Sequence, residues 1–73
     1  MITVSSALEQ ERIKAYVEAM NDPTTYTFVK KEGIKLFFDH GDEVAPDVAA
    51  RAVREQMKVE PWGRVLYFNC AAV

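Results

Sequence analysis

The sequence predicts one α+β domain over residues 1–73: a two-layer sandwich in which two helices pack on one face of a small, mainly antiparallel sheet. Two segments with apolar residues at helical spacing, and three segments rich in β-branched and aromatic residues, support this fold class. The order is β-α-β-β-α-β (ferredoxin-like) if Ile2-Thr3-Val4 forms a first strand, and α-β-β-α-β if it does not. A chain of 73 residues has room for one such domain.

The first helix is predicted over residues 6–20. Ser6-Ala7-Leu8-Glu9 fits the capping-box pattern, and Asn21-Asp22-Pro23 ends the helix because proline cannot continue it. Four apolar residues share one helical face: Ile13, Tyr16, Val17 and Met20. Leu8 lies off this face, so we expect either an irregular first turn or a contact away from the sheet.

Residues 25–30 and 34–39 are predicted to form a β-hairpin around Lys31-Glu32-Gly33. A three-residue loop with Gly33 in the left-handed conformation is a common connection. The resulting register pairs Lys30 with Ile34, Phe28 with Leu36, and Tyr26 with Phe38. A two-residue loop would pair Tyr26 with Asp39 and divide the apolar side chains between the two faces, so we predict the first register.

Pro46 suits the first position of a second helix, whose apolar face comprises Val48, Ala49, Ala52, Val53 and Met57. Gln56 falls within this face, near the helix end, where we expect it to reach a backbone group or water. Pro61-Trp62-Gly63 interrupts the chain, with Trp62 covering one end of the core. Residues 64–70 are predicted to form the last strand.

The helices are expected to cover a single sheet face. The side chains predicted to point toward the helices are Tyr26, Phe28, Ile34, Leu36, Phe38, Leu66, Phe68 and Cys70. The opposite face would carry four apolar residues: Val29, Phe37, Val65 and Tyr67. A patch of this kind marks an interaction site, so the sequence favours a non-enzymatic module that forms a homodimer or binds another protein there.

Composition narrows the functional classes. The net charge of −2, with 27% charged residues, argues against a domain built to hold nucleic acid. Cys70 is the only cysteine, which excludes a disulfide within the chain and fits a reducing compartment. The N-terminal residues lack a secretory signal pattern, and no apolar run is long enough to span a membrane. We therefore expect a cytoplasmic protein that needs no cofactor.

Two features offer an enzymatic or metal-dependent alternative. The turn Asp39-His40-Gly41-Asp42-Glu43 contains one imidazole and three carboxylates, the groups that bind divalent cations or transfer protons. Its spacing is not that of a calcium loop, and the chain has no second histidine for a transition metal. Cys70 is predicted to be a buried small hydrophobe about 10 Å from His40, too far for a nucleophile and its base.

A third alternative rests on a resemblance. Residues 1–40 resemble the Phd/YefM-type antitoxins in the short strand Ile2-Thr3-Val4, the following helix and the Gly33 hairpin. The resemblance implies a DNA-binding regulator. The chain departs from that pattern because it closes with a β-strand, where the antitoxins have a flexible toxin-binding tail. The clustered lysines of the hairpin, Lys30, Lys31 and Lys35, are interleaved with acidic residues, as in a solvated surface.

Overall fold

The computed structural model describes residues Met1–Val73 as four strands and three helices. In chain order these are β1 (Ile2–Ser5), α1 (Gln10–Ala19), β2 (Tyr26–Glu32), β3 (Lys35–His40), α2 (Pro46–Val59), α3 (Pro61–Arg64) and β4 (Asn69–Ala72). The sheet has the order β2-β3-β1-β4, and every neighbouring pair is antiparallel. The α+β class, the antiparallel sheet and the first strand at Ile2-Thr3-Val4 are confirmed. None of the helices combines the length and apolar character that crossing a membrane requires.

The core lies between one face of the sheet and the helices. Ile2 pairs with Phe38 and Val4 with Leu36, so these four buried side chains share the face that the helices cover. The helices add Ile13, Val17, Ala49, Ala50, Val53 and Met57 to the same buried cluster. The prediction that Val48 points inward is wrong, because its side chain is exposed.

Helix α1 begins at Gln10, four residues later than predicted, because Ser6 has a different role from the one its capping box indicates. Its hydroxyl accepts a hydrogen bond from the Leu8 N–H at 3.3 Å and lies 2.9 Å from the Leu8 carbonyl oxygen. Glu9 precedes the helix with a left-handed backbone, φ 59°. The first predicted turn is therefore a local loop that ends in a left-handed residue.

The predicted hairpin register is wrong, by three residues at Lys30 and by two at Phe28 and Tyr26, although these two aromatic residues lie on the predicted face. Glu32 pairs with Lys35 around a two-residue turn, in which Gly33 has φ +60°. An irregularity between Phe28 and Lys30 then shifts the register, so Phe28 pairs with Phe38 and Tyr26 with His40. A bulge absorbs one residue and restores the alternation, which keeps the apolar side chains on the helix side despite the short turn.

The last strand is Asn69–Ala72, not residues 64–70. Pro61 starts the short helix α3, which packs against the end of α2 so closely that a Cβ at Gly63 would collide with the Met57 carbonyl. The chain needs residues 65–68 to return to the sheet. Leu66 and Phe68, predicted to lie in the strand, precede it and pack half-buried against the core.

Two predictions about the helix ends are confirmed by specific contacts. Gln56 donates a hydrogen bond from Nε2 to the Asp22 carbonyl at 2.8 Å, the backbone partner that its position required. Trp62 packs against the core and meets the Tyr16 ring edge-to-face, with 5.5 Å between centroids. Both contacts join α1, or the loop after it, to the α2–α3 region.

Candidate functional site

The structure does not bring the four predicted binding residues onto one sheet face. Phe37 lies on β3, opposite Thr3 and on the face away from the helices. Val29 is at the irregularity in β2. Val65 and Tyr67 lie outside the sheet, because they fall in the connection between α3 and β4.

The open sheet face is more polar than the sequence indicated. Phe37 is only partly exposed, and the Lys30 ammonium lies 4.9 Å from its ring centroid. The positions beside it are polar: Thr3, Ser5, Lys35 and Asp39 are on the same face by alternation along their strands. The open face therefore offers one partly covered aromatic ring.

Four exposed apolar side chains gather instead around two grooves at one end of the molecule. Leu8 is 69% exposed, Ile34 52%, Val65 87% and Tyr67 96%; together we call these four residues the apolar end. An open groove of about 380 Å³ is lined by three of them, with Leu66 and Phe68 among the other walls. A second groove of about 340 Å³ adjoins it, since Leu8 and Leu66 line both.

Ser6 holds the apolar end together. Its backbone N–H donates to the Ile34 carbonyl at 3.0 Å, and its hydroxyl lies 3.1 Å from the Tyr67 carbonyl oxygen. Three segments that are distant in the chain thus meet at this buried serine: the β1–α1 loop, the hairpin turn and the residues before β4. The apolar end is consequently a fixed feature of the fold.

Sequence reasoning identified half of this surface. The sequence predicts Val65 and Tyr67 as exposed apolar residues, but places them in the last strand, whereas they lie before it. Leu8 and Ile34 were missed as site residues. The sequence contains a signal for Leu8, because this residue lies off the apolar stripe of the predicted first helix. It contains none for Ile34, because the predicted three-residue loop places Ile34 in the core.

In the turn after β3, the Glu43 carboxylate and the His40 imidazole make hydrogen bonds that stabilise the turn itself. The Thr24 hydroxyl donates to Glu43 Oε2 and accepts from the Gly41 N–H, both at 2.9 Å. His40 Nδ1 lies 2.9 Å from the Gly41 carbonyl oxygen, to which it can donate. Asp39 and Asp42 are exposed, and nowhere does the chain bring three His, Cys, Asp or Glu side chains together as metal ligands.

The Glu43 carboxylate is held in its charged form by these contacts. Its own backbone N–H is the main cause of the lowered pKa, followed by the Thr24 hydroxyl and the charge of His40. A group with a lowered pKa is a weak proton acceptor at neutral pH. The geometry therefore describes a structural turn.

Cys70 and His40 are too far apart to act together. His40 lies two residues beyond Phe38, the partner of Ile2, whereas Cys70 pairs with Val4. They are separated by two strand spacings, about 10 Å, and by four positions along the strands, about 13 Å. Burial raises the pKa of the Cys70 thiol to about 12, with a smaller opposing effect of Arg54 and Lys58. The thiol is protonated at neutral pH.

No protein-family model, curated protein or solved structure matches this chain. The fold and the site together define a small two-layer α+β domain whose most distinctive surface is apolar.

Proposed function

We propose that the protein is a non-enzymatic interaction module that forms a homodimer through the apolar end. The observation that carries this proposal is the gathering of Leu8, Ile34, Val65 and Tyr67, each more than half exposed, around two adjoining grooves. Contiguous apolar surface of this kind marks sites of association in small soluble domains. We also propose to assign the domain to the ferredoxin-like class, whose β-α-β-β-α-β order it has with the short helix α3 added before β4.

The shape of the apolar end favours a second copy of the chain as the occupant. A two-fold interface uses the same patch on both subunits, so the patch must complement itself. Tyr67 is almost fully exposed and is one of the residues that line the larger of the two grooves. Each copy can therefore place its Tyr67 ring in the groove of the other. Tyrosine suits this role because it brings a large apolar ring with few rotamers and a polar tip.

The small size of the core supports the same proposal. Only 16 of 73 residues are buried in the single chain. Small domains with so limited a core are commonly completed by another subunit. Covering the apolar end would add Leu8 and Ile34 to the apolar surface removed from water.

Sedimentation of the protein over a wide concentration range tests this proposal. We expect a concentration-dependent dimer that Tyr67→Asp or Leu8→Asp weakens by more than about tenfold, since a buried charge is costly at the centre of an interface. Phe37→Asp is the matched control on the open sheet face, and it should leave the dimer unchanged. A chain that stays monomeric at every concentration contradicts the proposal; loss of the dimer with Phe37→Asp alone would move the interface to the sheet.

The two alternative functions make different predictions. A metal-dependent protein using Asp39, His40, Asp42 and Glu43 should change its Trp62 fluorescence or melting temperature when divalent ions are added. A DNA-binding regulator should bind DNA with an affinity that falls steeply as salt increases. No observation in the structure favours either alternative over the homodimer.

A further inference from the structure

The two edges of the sheet are protected very differently. Edge strand β2 has a register irregularity and three consecutive charged residues, Lys30, Lys31 and Glu32. These are the devices that keep an edge strand from pairing with another chain. Edge strand β4, Asn69–Ala72, has the sequence Asn-Cys-Ala-Ala, without a charge, a proline or a bulge. β4 is therefore the edge that is open to a further strand.

The register identifies the backbone groups that β4 leaves unpaired. The Val73 N–H donates to the Met1 carbonyl at 3.1 Å, which continues the ladder between β4 and β1. Alternate residues of an antiparallel strand turn their N–H and C=O groups to the same neighbour. Asn69 and Ala71 therefore face β1, whereas Cys70 and Ala72 direct their backbone groups away from the sheet.

Two cations flank this edge on the helix side. Helix α2 packs against β4, and Arg54 and Lys58 are near enough to the Cys70 thiol to oppose the effect of its burial. Gln56 of the same helix reaches toward the loop after α1, where it bonds the Asp22 carbonyl. Arg54 and Lys58 are each two residues from Gln56 and therefore lie roughly 160° around the helix from it, on the side away from α1. Neither cation has a carboxylate within 4.0 Å, because the ion pairs of the chain are Arg12–Glu9 and Lys30–Glu32.

We propose that β4 binds an extended acidic peptide of a partner protein, which adds a fifth strand to the sheet. The backbone of the peptide pairs with Cys70 and Ala72, and its acidic side chains on the helix side face Arg54 and Lys58. This recognition mode takes its affinity from main-chain hydrogen bonds and its specificity from alternate side chains. A second copy fits this edge poorly, because two β4 strands paired about a two-fold axis would bring like charges of Arg54 and Lys58 together.

The proposal goes beyond the homodimer, because the peptide pairs with Cys70 and Ala72, neither of which lines the grooves of the apolar end. A blocked seven-residue peptide of alternating Glu and Val is the probe, with matched peptides that carry Gln or Lys in place of Glu. Titration into ¹⁵N-labelled protein should shift the amide signals of Cys70 and Ala72 most. We expect binding about tenfold weaker for the Gln peptide and weaker still for the Lys peptide. Shifts centred elsewhere, no binding at millimolar peptide, or equal binding of the Gln peptide would overturn the proposal.

Variants locate the binding and separate it from dimerisation. Arg54→Glu should weaken the binding of the Glu peptide by at least about tenfold. Lys31→Glu makes the same charge change on the β2 edge and should leave the binding unchanged. Ala72→Pro removes an outward N–H and should abolish binding; Ala72→Ser retains the N–H and the affinity. If Ala72→Pro fails to fold, the comparison of Arg54→Glu with Lys31→Glu still tests the proposal. Tyr67→Asp should bind the peptide normally, so a failed homodimer and a failed peptide site give distinct results.

Discussion

Two tyrosines show how differently the same side chain is used in this small fold. Tyr26 is buried, and its hydroxyl donates to the Ala49 carbonyl at 2.9 Å, joining β2 to α2. Tyr67 is almost fully exposed at the apolar end. We expect Tyr26→Phe to lower the free energy of unfolding by about 1 kcal/mol, because it removes one buried hydrogen bond. Urea denaturation measures the loss, and Tyr67→Phe is the control that should show none.

The raised pKa of the Cys70 thiol leads us to expect that stability depends on pH in the alkaline range. Burial raises its pKa to about 12 in the folded protein, above the value of a free thiol. The contribution of the protonated thiol to the free energy of unfolding is fully present below the pKa of the unfolded chain, about 8.5. It is lost as the pH rises through the pKa of the folded protein. Unfolding free energies measured between pH 8 and 12 should fall less steeply in Cys70→Ala. Alkylation of the thiol at about pH 8.5 should be slow in the native protein and fast in denaturant; rapid native alkylation would contradict the burial.

Among the elements, the β2–β3 turn and the short helix α3 each depend on a glycine, for different reasons. Gly33 has φ +60° with open space around the position of a Cβ, so Gly33→Ala introduces backbone strain alone, about 1–2 kcal/mol. At Gly63 a Cβ would collide with the Met57 carbonyl, so α3 must move away from α2. We expect the loss of unfolding free energy to be larger for Gly63→Ala. Trp62 fluorescence should change only in that variant, and equal losses without this change would contradict the close packing of α3.

The hairpin also shows where periodicity is informative. Alternation of apolar residues correctly predicted that Tyr26, Phe28, Leu36 and Phe38 share one face. It could not predict their partners, because a two-residue turn and a bulge give the same faces as a three-residue loop with no bulge. The choice between them depends on contacts across the sheet, which the order of residues in either strand does not display.

For the molecule as a whole, the two-layer architecture is tested by adjacent phenylalanines on opposite faces of β3. Phe38 is fully buried beneath the helices and meets Phe28 edge-to-face, with 5.7 Å between ring centroids. Phe37 is on the open face. Phe38→Ala should lower the free energy of unfolding by about 3–5 kcal/mol, enough to threaten the fold of a domain this small. Phe37→Ala should cost far less, and equal effects in thermal denaturation would show that both sheet faces are covered.

At the candidate site, too, the sequence predicts which residues are exposed, whereas the fold decides where they lie. Val65 and Tyr67 could be selected from the sequence because they are large apolar residues that no helix or sheet core required. Their location could not, because β4 starts after residue 68 only as a result of the close packing of α3 on α2. Ile34 joins them through the Ser6 N–H, a contact between residues 28 positions apart.

Local periodicity and turn chemistry were enough to predict the α+β class, two of the helices, the hairpin and most of the buried face. These features follow from interactions within a few residues, which the sequence displays directly. The strand partners, the start of β4, the polar character of the open sheet face and the apolar end depended on the assembled fold. They arise where segments far apart in the chain meet, at Ser6, at Gly63 and across the sheet. Such contacts form only in the folded chain, so no local pattern in the sequence reports them.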